Sequence, residues 1–180
     1  MSELASESST LRPTNVIAGA SAEAMAMSGI VVVSGNPRPG SRTSTLAAAV
    51  GEALGGAATV VEVGALGPGL LTPGDAATAA AVTAIREADV LVVATPTYKG
   101  SYTGVLKVLL DQLPAGALAG KRAVPVVTAG VAPQAAAAAA LLAQLLGELG
   151  ADVAPALPVV EAELGESAAL AEKYAAEHGG

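Results

Sequence analysis

Cysteine, tryptophan and phenylalanine are absent from these 180 residues, and histidine occurs once, as His178. Without thiols there is no disulfide, no thiolate nucleophile and no sulfur-ligated metal or iron–sulfur site. A single histidine near the end of the chain argues against a histidine-based triad or a multi-histidine metal site. Aromatic residues make up 2% of the chain against a hydrophobic fraction of 52%, so the core must be built from Val, Leu, Ile and Ala. Cations are scarce too: 9 Lys and Arg against 16 Asp and Glu, for a formal net charge of −7. That balance disfavours nucleic acid as a partner, because phosphate neutralisation needs clustered Lys and Arg. It serves solubility instead. No apolar run approaches the ~20 residues of a membrane span. The first ten residues hold acids and serines with no basic cluster before an apolar stretch, which argues against a secretory signal and makes the cytoplasm the expected compartment.

The length suits one domain with a substantial core. Residues 1–28 are Ser-, Ala- and Glu-rich without a clear period and read as a flexible N-terminal extension, with 16–27 a candidate short helix. The domain is expected over 29–180. There, short β-branched runs alternate with longer helical ones. Strands are expected at 30–33, 59–63, 89–94, 123–128 and 156–160, and helices at 44–54, 76–87, 104–113, 134–149 and 166–177. Pro125 is an awkward residue for a central strand. Strands apolar on both faces imply a parallel sheet covered by helices on both sides, and alternating βα units imply the doubly wound α/β class. The run Ala135 to Ala140 is good helix material.

The segment Ser34-Gly35-Asn36-Pro37-Arg38-Pro39-Gly40-Ser41-Arg42-Thr43-Ser44 joins the first strand to a helix N-terminus, where orphan amides and the helix dipole favour an anion. Ser34, Ser41, Thr43 and Ser44 add hydroxyls, and Arg38 and Arg42 add charge suited to phosphate oxygens. Gly35 and Gly40 have the spacing of a Walker loop, but Ser41 stands where its lysine belongs and Arg42 where its Ser/Thr belongs. G-x-G-x-x-G is absent. A hydroxyl-rich loop suited to a terminal monophosphate, as on FMN, remains; the alternative is an ordinary βα loop with a Ser/Thr cap.

Thr95-Pro96-Thr97-Tyr98-Lys99-Gly100-Ser101-Tyr102-Thr103-Gly104 follows the third strand, again at its carboxyl end. In an open sheet of flavodoxin order the first and third strands flank the switch point where ligands bind. Two of the three tyrosines lie in this segment, suited to a flat aromatic ligand, or else simply to covering the sheet end. Lys107 and Asp111 read as an exposed helical pair.

With both loops in place the sequence resembles the NAD(P)H-dependent FMN reductases, most of all the branch that supplies reduced FMN to two-component monooxygenases such as those for alkanesulfonates. The matching motifs are Ser34-Gly35-x-x-Arg38-x-x-Ser41-Arg42-Thr43, Thr95-Pro96-x-Tyr98-Lys99-x-Ser101-Tyr102-x-Gly104-x-Leu106-Lys107, Leu109-Leu110-Asp111-x-Leu113-Pro114 and Ala117-Leu118-x-Gly120-Lys121. The resemblance runs from about Ile30 to Ala151. It implies a flavodoxin-like five-stranded parallel sheet of order 2-1-3-4-5. It also implies that Ser34, Arg38, Ser41 and Thr43, with Arg42 beside them, hold the FMN phosphate. Pro96, Thr97 and Tyr98 would line the ribityl chain and ring, and the Thr128-Ala129-Gly130 backbone would approach the pyrimidine edge. Ala129 replaces the first of the family's usual paired glycines, which matters if that position needs positive φ or close backbone approach to the flavin. Ala135 to Ala140 stands where some members carry an aromatic insertion.

The implied activity is hydride transfer from NAD(P)H to FMN, with a homodimer or homotetramer and a flavin-dependent monooxygenase as expected partners. Such chemistry asks little of side-chain acids and bases, because the cofactor carries it. An FMN-bound quinone or azo reductase, a non-enzymatic flavodoxin-like electron carrier and a degenerate member that only associates are the rival readings. A phosphorylatable receiver domain is set aside, since Ser34-Gly35 and Thr95 occupy its acidic positions.

Overall fold

The structure, a computed structural model, describes residues 15–17, 29–56 and 58–180. Ile30-Val31-Val32-Val33-Ser34 forms β2 and is buried along nearly its whole length, which places it in the middle of the sheet. It pairs in parallel with β3 (Thr59–Glu62) on one side and β4 (Val90–Pro96) on the other. β5 (Arg122–Ala129) lies beyond β4, and the far edge is made in two pieces, β6 (Asp152–Val153) and β7 (Leu157–Val160). Within the expected domain this is the flavodoxin-like order 2-1-3-4-5. A further short strand, β1 (Asn15–Ile17), adds to the near edge by pairing in parallel with β3. Val16 and Ile17 therefore lie in a strand rather than a helix, and residues 18–27 of that candidate helix lie outside the described residues. A rank of valines crosses the centre of the sheet, Val60, Val32, Val92 and Val124 in register.

Both faces are covered, as apolar strands require. α1 (Arg42–Gly55) and α6 (Ser167–His178) pack on the face that holds Val32, Val60, Val92 and Val124. α3 (Ala76–Glu87), α4 (Gly104–Leu110) and α5 (Ala132–Glu148) pack on the face of Val31 and Val33. A four-residue helix, α2 (Val63–Leu66), runs into a 3-10 turn, Gly67–Leu71. The core is aliphatic throughout except for Tyr174, whose hydroxyl donates to the Pro155 carbonyl at 2.6 Å and whose ionisation burial pushes upward. Ala135, Ala138 and Ala139 supply the buried stripe of α5, so the alanine run is a helix face packed close to the sheet.

Pro125 sits in a sheet interior without penalty because the neighbouring strand is broken there. Thr128 turns its carbonyl toward β4, where it accepts the Thr97 N–H at 2.9 Å. By alternation Pro125 faces the other edge, as does Ala123, whose carbonyl accepts the Ala154 N–H at 2.9 Å. β6 pairs with residues 122 and 123, and β7 resumes at Val126. The missing N–H therefore falls in the gap.

Boundaries move where capping chemistry intervenes. α1 begins at Arg42 because Ser41 takes the N-cap and accepts the Ser44 N–H at 3.2 Å. α4 closes at Leu110 in a turn short of Pro114, and Lys107 and Asp111 pair at 2.7 Å. Asp75 caps α3, accepting the Thr78 N–H at 2.8 Å, and that bond lowers its pKa from the ordinary carboxylate value. A depressed folded pKa means stability present above the unfolded value and lost as pH falls through the folded one. Asp75→Asn keeps a capping acceptor without the titration. The melting-temperature gap between wild type and Asp75→Asn is thus expected to narrow as pH drops from about 6 to about 3; thermal scans across that range check it. Among the described residues no helix is long and apolar enough to cross a membrane.

Candidate functional site

Three loops at the carboxyl ends of the central strands build the site, and a handful of polar contacts fix them to one another. The first leaves β2 after Ser34. Gly35 donates to the Ala94 carbonyl at 2.7 Å, so the chain is still held against β4 as it turns. Asn36 Oδ1 then accepts the Arg38 N–H at 2.9 Å, and Gly40 completes the turn at φ 66°. Ser41 follows as the cap. The first-turn amides of α1 point out of the helix end with the positive pole of its dipole. Gly64 of α2 backs this loop so closely that a Cβ there would run into the Pro37 carbonyl and lie 2.8 Å from the Asn36 oxygen.

The second loop is tied to the first by Thr103. Its hydroxyl donates to the Gly35 carbonyl at 2.5 Å and accepts the Leu106 N–H at 3.3 Å, capping α4. Its own N–H donates to Thr95 Oγ1 at 3.1 Å. Tyr98 and Ser101 bracket a tight hairpin with φ of 53° at Lys99 and 81° at Gly100. Positive φ at both central positions is the signature of a type I′ turn, strained for a lysine. The turn leaves Tyr98 44% exposed over the site, whereas Tyr102 packs against the aliphatic core. The two tyrosines thus divide between the two readings, one facing the site and the other covering the sheet end.

The third loop follows β5. Thr128 shares a hydroxyl–hydroxyl hydrogen bond of 2.9 Å with Thr43, and its carbonyl accepts the Thr97 hydroxyl at 3.0 Å. Ala129 is still in β5, paired with Val160, and its φ is not positive. The alanine therefore meets no positive-φ strain there.

Between these loops lies a cavity of about 390 Å³, within the range of small-ligand sites. Of the residues singled out in the sequence, Arg38, Ser41, Arg42, Thr43, Pro96, Tyr98 and Thr128 line it. Ser34, Thr97, Ala129 and Gly130 do not: Ser34 and Ala129 are buried in the sheet, Thr97 is spent on Thr128, and Gly130 is exposed beside the loop. Asn36, Pro39 and Gly40 join the lining from inside the first motif. Glu161 and Leu164 come from the 3-10 turn Glu161–Glu166, and no local signal marks them. β7 brings that turn alongside β5, and Glu161 then meets Arg42 at 3.6 Å. The donor set suits a phosphomonoester: the first turn of α1 behind its Ser41 cap, the hydroxyls of Ser41 and Thr43, and two guanidinium groups, Arg38 exposed and Arg42 beside Glu161. Pro96 and Tyr98 give the other wall an apolar, aromatic character suited to a planar ring.

A doubly wound parallel sheet of this order, with three strand-end loops meeting at its switch point, has the flavodoxin-like architecture. The chain belongs to the NADPH-dependent FMN reductase family, whose model matches residues 28–163. The FMN reductase (NADPH) of Escherichia coli (strain K12) is 54% identical over 46 residues, 26% of this chain and 24% of that protein. The enzyme of the same name from Pseudomonas putida is 52% identical over 46 residues, 23% of its length. The matched stretch thus spans about a quarter of these curated relatives. Over most of the fold, the apo structure of an NADH:FMN oxidoreductase (EMOB) is 31% identical with a TM-score of 0.71, covering 83% of this chain and 89% of the other. An oxidoreductase of Corynebacterium diphtheriae gives 28% and 0.68, covering 82% and 94%.

Proposed function

We propose that this protein is an NAD(P)H-dependent FMN reductase. The observation that carries the reading is the convergence of three strand-end loops on one cavity, anion-binding at the α1 end and aromatic at Tyr98. Arg38, Ser41, Arg42 and Thr43, with the first-turn amides of α1, would hold the phosphate. Pro96 and Tyr98 would flank the ribityl chain and ring. Thr97 and Thr128 would keep the second and third loops at a constant separation, and the Ala129-Gly130 backbone would border the pyrimidine edge. Ser34 would act from beneath the loop, its buried hydroxyl having no hydrogen-bond partner among the described residues. FMN, when bound, supplies the hydride-accepting centre. The chain's own task is to orient the two reactants and keep solvent from between them. That fits a cavity whose lining holds no histidine or cysteine.

We further infer cytoplasmic work, where nicotinamide cofactor is replenished, assembly as a dimer or tetramer, and delivery of reduced flavin to a monooxygenase; resemblance to the family supports these. The deciding experiment measures NADPH and NADH oxidation with and without FMN, alongside fluorescence titration with FMN and riboflavin. Saturable, FMN-dependent oxidation is expected. Arg38→Ala should weaken FMN about tenfold while leaving riboflavin nearly unchanged. Turnover of a quinone with no added flavin would favour the FMN-bound quinone reductase instead, and absence of FMN binding would end the flavin reading.

A further inference from the structure

Glu62, the last residue of β3, is only 6% exposed, an uncommon place for a carboxylate. Its Oε1 accepts the Gly40 backbone N–H at 3.2 Å and a short hydrogen bond from the Ser44 hydroxyl. Its Oε2 is buried with no hydrogen-bond partner among the described residues. Gly40 is the residue before the α1 cap and Ser44 lies in the helix's first turn, so one carboxylate oxygen grips both ends of the turn that enters the helix. Gly40 also lies between two hollows. One is the site cavity, and the other, about 370 Å³, is bordered by Ser44 and Glu62. Among the described residues, then, hydrogen bonding rather than tight packing sets this stretch of loop.

We propose that Glu62 is a positioning residue for phosphate recognition: by tethering Gly40 and Ser44 it sets the curvature of the Asn36–Thr43 loop and thereby the preference for a phosphomonoester over its dephosphorylated form. The carboxylate also takes up the Gly40 N–H, so the loop meets an incoming anion through the groups that follow it rather than through that amide. Moving the loop would strip Oε1 of both its donors while Oε2 already lacks one, so the loop has one favoured shape. The inference rests on the flavin reading of the cavity, and its test is built to fail separately from that reading.

Glu62→Ala and Glu62→Gln are compared with wild type, each checked for folding by circular dichroism. FMN and riboflavin affinities are measured by titration, and exchange of the Gly40 amide by NMR without ligand. Glu62→Ala should lower the FMN-over-riboflavin preference about tenfold and lose Gly40 protection, while Glu62→Gln, which keeps the acceptor, retains both within about threefold. A folded Glu62→Ala that keeps the wild-type preference, weakens both ligands equally or leaves Gly40 exchange unchanged overturns the proposal. Loss of Gly40 protection in a protein whose wild type binds no FMN supports the tether and ends the flavin reading. If Glu62→Ala does not fold, Ser44→Ala removes one arm of the grip. It should then reduce the preference by a smaller factor, and an unaltered preference overturns the proposal.

Discussion

Gly64→Ala is expected to weaken FMN binding by one to two orders of magnitude while leaving riboflavin close to its wild-type affinity. The added Cβ meets backbone, not a flexible side chain: the Pro37 carbonyl overlaps it and the Asn36 oxygen stands 2.8 Å away. Backbone can yield only by moving as a segment. The segment next to the contact includes Arg38, which is exposed with its N–H held by Asn36 Oδ1. A shift of about 1 Å in groups that orient a ligand is enough for an effect of about a hundredfold. Overpacking should also lower stability by about 1–3 kcal/mol. Parallel titrations with FMN and riboflavin, with a urea unfolding curve, check both parts. A destabilised protein with unchanged FMN affinity would place the displacement in α2 instead.

Thr103→Val should be the most destabilising conservative change at the site. The side chains have nearly the same shape, so the core loses no volume, but Thr103 is 1% exposed and its hydroxyl serves two groups at once. Without it the Gly35 carbonyl loses a 2.5 Å donor and the Leu106 N–H loses its cap. A buried orphan acceptor costs about 1–3 kcal/mol and a lost cap about 1 kcal/mol, so a loss of about 2–4 kcal/mol is expected. Thr103→Ser, which keeps the hydroxyl, should recover most of it. Both are read from denaturation midpoints. Because Thr103 joins the loops after β2 and β4, Thr103→Val should also weaken FMN, and Thr103→Ser should not.

Much of this was legible because it is local. Ile30 to Val33 reads as a buried strand, and a hydroxyl- and arginine-rich turn between it and an Ala/Leu helix lies at a helix N-terminus wherever the pair sits, although which hydroxyl caps the helix, Ser41, came only with the structure. The two strand-end motifs could therefore be assigned to one ligand once the order of the sheet was inferred. Less legible were positions whose role depends on who their neighbour is. Pro125 was awkward only until the break between β6 and β7 came to lie beside it. Whether Ala129 needed positive φ could not be read from the sequence, and in the structure it is an ordinary strand residue. Tyr98 and Tyr102, four residues apart, could not be told from each other until the Lys99-Gly100 turn sent one to the site and the other to the core.

The amino-acid sequence by itself determined the alternating architecture, the hydroxyl- and arginine-rich turn ahead of a helix and the chemistry those residues offer, because periodicity and turn composition act over a few residues. Tertiary structure alone decided that Glu161 and Leu164 would wall the cavity, that Gly64 would press against the loop and that Glu62 would hold it from below. Glu161 is 119 residues from Arg42 and Glu62 is 22 from Gly40. Only the parallel pairing of strands, which carries distant carboxyl ends to one edge, brings such residues within hydrogen-bond reach.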